Sequence, residues 1–159
     1  MAGGWLDSLI KKIISGGQTG ADRAALDFAI TRGIAHGGWC PNGRWAEDGR
    51  IPGQYQVIEA PSPDPVQRSE WNVRDSDGTA ILSISQQLVR GSKKTEEFAA
   101  RLGKPLIHIS RQRDGSGAAK LLREFLRANR IEVLNVAGPR ASEEPEVSDF
   151  VAEILGAVL

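Results

Sequence analysis

Residues 15–22 read Ser-Gly-Gly-Gln-Thr-Gly-Ala-Asp. Three glycines, Gly16, Gly17 and Gly20, stand beside Gln18, Thr19 and Asp22. Glycines let backbone N–H groups converge, and the start of a following helix adds partial positive charge. The chemistry expected of such a stretch is anion binding, with phosphate the leading candidate. It is not a P-loop, because the Lys-Ser/Thr pair is missing. From Ser15 the spacing is Ser-x-Gly-x-x-Gly, one glycine short of the dinucleotide fingerprint. The acidic residue that holds a ribose in that fingerprint is also absent from 36–40, His-Gly-Gly-Trp-Cys, so ordinary NAD binding is disfavoured. The plain alternative is a tight turn with no ligand.

Two further loops carry suitable groups. Gly91, Ser92 and Thr95, with Lys93 and Lys94, form a polar helix start that offers hydroxyl donors and close backbone approach. Asn135, Gly138 and Arg140 belong to the stretch 135–140, Asn-Val-Ala-Gly-Pro-Arg, a buried run followed by a sharp turn and a cation able to grip an anion through two N–H groups. A fourth segment adds Arg68 and Asn72 among mixed charges and Trp71. Asp75 and Asp77 just precede a strand and are expected at its far end. His36 and His108 read as strand residues rather than metal ligands.

These groups need a frame. Apolar runs at 12–15, 79–84, 106–110 and 132–137, with a weaker one at 33–36, read as strands. Between them lie helical stripes: Ala25, Leu26, Ala29 and Ile30, stopped by Gly33; Phe98, Ala99 and Leu102; Leu121, Leu122, Phe125 and Leu126, with Ser116 as N-cap; and Val147 to Val158, with Pro145 in the first turn. Trp5, Leu6, Leu9 and Ile10 are expected to make one helical turn. Strands alternating with helices predict an α/β, Rossmann-like (flavodoxin-like) three-layer sandwich with a mostly parallel central sheet. In such sheets ligands bind outside the carboxyl ends of the strands, where the three loops gather. Residues 37–78 hold five of the eight prolines and lack periodicity; short irregular structure lying over the ligand site is expected there.

At 159 residues the chain reads as one domain. Its formal net charge is zero, without a basic cluster, which disfavours nucleic acid as partner. One cysteine, Cys40, permits neither an internal disulfide nor a cysteine metal cage. No membrane span or signal peptide is expected, and a cytoplasmic location fits.

The segments 13–30, 38–49, 67–82 and 135–145 together resemble the molybdenum-cofactor carrier family, Rossmann-like proteins related to the lysine-decarboxylase-like nucleotide phosphoribohydrolases. The likeness runs from about residue 12 to 159. It implies a homodimer or tetramer and a pocket for a phosphorylated ligand: molybdenum cofactor (molybdopterin), a pterin dithiolene bearing a phosphate, or a nucleotide. The hydrolase relatives carry Pro-Gly-Gly-x-Gly-Thr-x-x-Glu, whose Glu is needed for cleavage. Setting Thr95 on the motif Thr puts Phe98 at that Glu and Lys94 at the adjacent Gly. The relatives' Arg-Lys pair is half kept as Arg68-Ser69. A phenylalanine moves no proton, so a binding protein is preferred to an N-glycosidase, with Glu96 or Glu97 as substitutes in another register. A third alternative is a non-catalytic nucleotide sensor or interaction module.

Overall fold

A computed structural model describes residues 9–88 and 90–159. Trp5 and Leu6 of the expected N-terminal turn lie outside these residues. The central sheet has five strands, all parallel: β1 (Lys12–Ile14), β2 (Ala35–Gly37), β7 (Gly78–Ser83), β8 (Leu106–Ser110) and β9 (Val133–Ala137). Their spatial order is β2-β1-β9-β7-β8. The last strand is thus inserted between the first and the third of the sheet. Numbered from β7, with the chain closed after β9 onto β1, the same order is 2-1-3-4-5, the flavodoxin arrangement. The topology is a circular permutation of that fold.

Helices cover both faces. Helix α1 (Ala21–Arg32), α5 (Ala118–Ala128) and α6 (Val147–Val158) pack on one face, over a core that includes Ile13, Leu82, Ile109, Leu134, Leu122 and Leu155. Helices α2 (Pro65–Arg74) and α3 (Arg90–Leu102) lie together elsewhere, with Val73, Phe98, Ala99 and Leu106 packed as a smaller core. Every residue of β7 is buried, as expected of a central parallel strand covered on both faces.

The stretch 37–78 is more ordered than its sequence suggests. It contains a parallel pair, β3 (Trp39–Cys40) with β6 (Ile58–Glu59), and a small hairpin, β4 (Trp45–Ala46) with β5 (Gly49–Arg50). It ends in α2, where Pro65 occupies the first turn and Asp64 caps it, its side chain accepting from Val66 N at 3.0 Å. Cys40 is fully buried against Leu26, Ile51 and Tyr55.

Some boundaries differ from expectation. Gly33 does stop α1 in the left-handed conformation, but the next strand begins only at Ala35. Ser116 does not cap α5. It sits in a 3₁₀ turn (Gly115–Gly117), preceded by the short helix α4 (Arg111–Asp114), whose cap is Ser110. Pro145 precedes α6 instead of joining its first turn. No helix of the described residues is long and apolar enough to cross a membrane.

Candidate functional site

The strands β7 and β9 flank the point where the sheet order reverses in the flavodoxin numbering. A cleft opens there at the carboxyl ends of the strands. Gly16, Gln18 and Asp22 line one side, Arg68, Ser69 and Asn72 a second, and Gly91, Ser92 and Thr95 a third. The run from Asn135 to Gly138, with Arg140 and Glu143, closes it. Its enclosed part measures about 70 Å³, room for a few water-sized groups such as one phosphate, with the rest of a ligand outside.

Arg68 dominates the chemistry. Helix α2 carries it inward until only 9% is exposed. Its Nη1 donates to the Gly16 carbonyl at 2.8 Å and its Nε to Ser69 Oγ at 3.2 Å. Nη2 has no protein partner among the described residues, and no carboxylate there forms an ion pair with the guanidinium. Gly16 has to be glycine for this approach: a Cβ would lie 2.6 Å from Arg68 Nη1 and 2.9 Å from Asp22 Oδ2. Burial lowers the Arg68 pKa from its ordinary value and the Arg140 charge adds to that, while Asp22 and Cys40 oppose it. A buried cation with no carboxylate in ion-pair contact among the described residues is costly, and an anion in the cleft relieves it.

Across the cleft, α3 presents its N-terminal turn. Ser92 is 8% exposed, and its hydroxyl has no hydrogen-bond partner among the described residues. Thr95 Oγ1 donates one turn back to the Gly91 carbonyl at 3.1 Å, and the N–H groups of the first turn lack intrahelical acceptors. Asn135 Nδ2 donates to Thr79 Oγ1 at 3.1 Å. Asn72 is committed elsewhere: its amide brackets Trp39, accepting from Trp39 N at 2.8 Å and donating to Trp39 O at 3.0 Å. Arg140 is half-exposed beside Glu143, with Nε 3.8 Å from Oε1.

Gly17, Thr19 and Gly20 do not line the cleft. Three of the N–H groups in this stretch are taken up internally. Gln18 N donates to Asp22 Oδ2 at 3.3 Å, Thr19 N to Gln18 Oε1 at 3.0 Å, and Ala21 N to the Pro139 carbonyl at 3.1 Å. The Thr19 hydroxyl donates to Glu47 and accepts from Ala141 N at 3.1 Å. Glu47 also accepts from Ser142 Oγ at 2.6 Å and so ties three loops together. Glu47 does not stand out in the sequence, because its partners Thr19 and Ser142 lie far along the chain; Ser69 and Glu143 bond to near neighbours and reach the cleft only through the fold.

Three other groups sit away from this chemistry. Phe98 is core, and Glu96 and Glu97 are exposed outside the cleft lining. Ser83 Oγ lies 2.6 Å from both His108 Nε2 and the Ser85 carbonyl. A carbonyl only accepts, so the serine proton goes to Ser85 and His108 Nε2 is the donor; Ser83 is therefore not an activated nucleophile. Among the described residues no cluster of three or more His, Cys, Asp or Glu side chains is arranged to hold a metal ion.

Burial pushes the Asp22 carboxyl above its ordinary value of 3.8, against the pull of Arg68. The folded state then holds that proton more tightly than the unfolded chain. Stability from protonated Asp22 is complete below pH 3.8 and is lost as pH rises through the higher folded-state value. Asp22→Asn, whose Oδ1 still accepts from Gln18 N, is expected to gain on the wild type over that window. Calorimetric melting between pH 3 and 8 checks this; a difference independent of pH contradicts it.

The family described as circularly permutated YpsA SLOG matches residues 13–159. Among solved structures, the "Putative molybdenum carrier protein" of Syntrophus aciditrophicus SB is similar to this chain, with 50% identity and a TM-score of 0.93. The match covers 95% of this chain and 96% of that one. A comparison with curated proteins finds no match.

Proposed function

The chain belongs to the circularly permutated YpsA SLOG family, and from that premise we propose that it is a carrier or sensor that holds a phosphorylated small molecule by its phosphate. The carrying observation is the buried Arg68 whose Nη2 has no partner among the described residues, facing a cleft that also holds the Ser92 hydroxyl, likewise unpartnered among them. The phosphate would sit between Arg68, Ser92 and the first turn of α3, with Arg140 at the rim and Gly16 and Asn135 as walls. Gly17, Thr19 and Gly20 would act by shaping the loop. Hydrogen bonds to a charged group contribute about 1.5–3 kcal/mol each. Three or four, less ordering costs, sustain roughly micromolar binding.

The name of the Syntrophus neighbour favours molybdenum cofactor as the ligand. The cleft's cations suit its phosphate end. Cys40 is fully buried and absent from the lining, so this chain offers the metal end no thiol; the metal would remain on the ligand's own dithiolene as cargo. A nucleotide would use the same phosphate contacts. Hydrolysis finds less support, since Phe98 packs in the core and the carboxylates lining the cleft are Asp22 and Glu143.

Mass spectrometry of the ligand released from gently purified protein, with molybdenum analysis of the same sample, tests the proposal. A phosphorylated pterin or nucleotide is expected. Release of free base on incubation with AMP would replace the carrier reading by an enzymatic one.

A further inference from the structure

Beyond the main cleft, the carboxyl end of β7 carries a second anion position that is already filled. The backbone N–H groups of Ile84 and Ser85 both donate to Glu144, at 2.7 Å to Oε1 and 3.0 Å to Oε2. Two consecutive N–H groups converging on one carboxylate form an anion nest. Glu144 reaches it from the loop after β9, 60 residues away in sequence. Beside the nest lies a cavity of about 140 Å³, lined by Ser83, Ser85, Gln87 and both Glu143 and Glu144.

This cavity shares two lining residues with the main cleft, Ser92 and Glu143. Ser92 is more than nine-tenths buried, and its hydroxyl has no protein partner among the described residues. A donor left open between two anion-binding positions suits a ligand that spans both. Pro139, which precedes Arg140, also lines the second cavity.

We propose that the Ile84–Ser85 nest is a second anion subsite, taking the distal phosphate of a diphosphate-bearing ligand, and that the Glu144 carboxylate is a built-in competitor for it. The inference rests on the reading of the main cleft as a phosphate site. With Glu144 in place the protein favours a single phosphate; with Glu144 displaced it accepts two.

Titration calorimetry of wild type, Glu144→Ala and Glu144→Gln against inorganic phosphate and pyrophosphate tests this at constant ionic strength. The expected result is a gain of tenfold or more in pyrophosphate affinity for Glu144→Ala, with phosphate affinity changed less than threefold. Glu144→Gln keeps one acceptor for the nest, guards against loss of folding in the alanine protein, and should gain less. Equal loss for both probes would make Glu144 a loop staple and overturn the proposal. An unchanged pyrophosphate affinity would overturn it too, while phosphate binding by wild type would leave the main-cleft reading standing. Failure of all three proteins to bind either probe would overturn both.

Discussion

Arg68→Leu is expected to lower the affinity for inorganic phosphate at least 100-fold. The guanidinium offers the buried site a full charge and an Nη2 without a partner among the described residues. Charge-assisted hydrogen bonds contribute about 1.5–3 kcal/mol each, and two of them correspond to roughly two to four decades in affinity. Stability should change far less. Leucine removes a costly buried charge but strands the Gly16 carbonyl, and these effects oppose one another. Arg68→Lys keeps the charge without the planar fork that reaches Gly16, Ser69 and the cleft together, so it should recover only part of the binding. Arg140→Ala should cost less than tenfold, because that side chain is 41% exposed at the rim and screened by water. Titration calorimetry on the four proteins checks the order. An Arg68→Leu protein that melts like wild type and binds phosphate equally well would remove Arg68 from the site.

Gly138→Ala is expected to cause a large loss of stability. A Cβ at Gly138 would run into the carbonyl oxygen of Leu82 and lie 2.7 Å from Ala21 Cβ. Leu82 is in the fully buried strand β7, and Ala21 opens α1. Neither can retreat without shifting the sheet or the helix that packs on it. A penalty of about 3 kcal/mol or more follows from overpacking in a close-packed interior. For a chain of this size that is a melting temperature lower by roughly 6–12 °C. Gly33→Ala supplies the contrast: nothing lies within 4 Å of its Cβ, so it should cost only the roughly 1–2 kcal/mol of the left-handed conformation. Thermal denaturation of both proteins followed by circular dichroism checks the difference. Equal melting temperatures would show that β7, β9 and α1 are not held as tightly as described.

Much of the frame is legible along the chain because its signals are local. The runs at 106–110 and 132–137 read as strands by composition, and the stripe at 147–158 reads as a helix by period. The order of the strands is not local. Nothing near Val133–Ala137 announces that this last strand enters between β1 and β7, since that pairing joins residues far apart in sequence. The glycine-rich turn shows the same limit. Its residue types suit an anion cradle, yet the donors of Gln18, Thr19 and Ala21 are satisfied by Asp22, Gln18 and Pro139, of which only the first two are neighbours. Arg68 was visible as one cation among several in an irregular stretch; its burial depends on α2 lying against Gly16, a contact across 52 residues. Glu47 and Glu144 carried no signal at all, because each acts on loops that only the folded sheet brings near.

We propose that the cleft between Arg68 and α3 holds phosphate. A crystal structure of the protein grown with AMP addresses it directly. The phosphate is expected within hydrogen-bonding distance of Arg68 Nη2 and Ser92 Oγ, with the nucleoside extending toward the open mouth. AMP bound elsewhere on the surface, with water alone between Arg68 and Ser92, would contradict it.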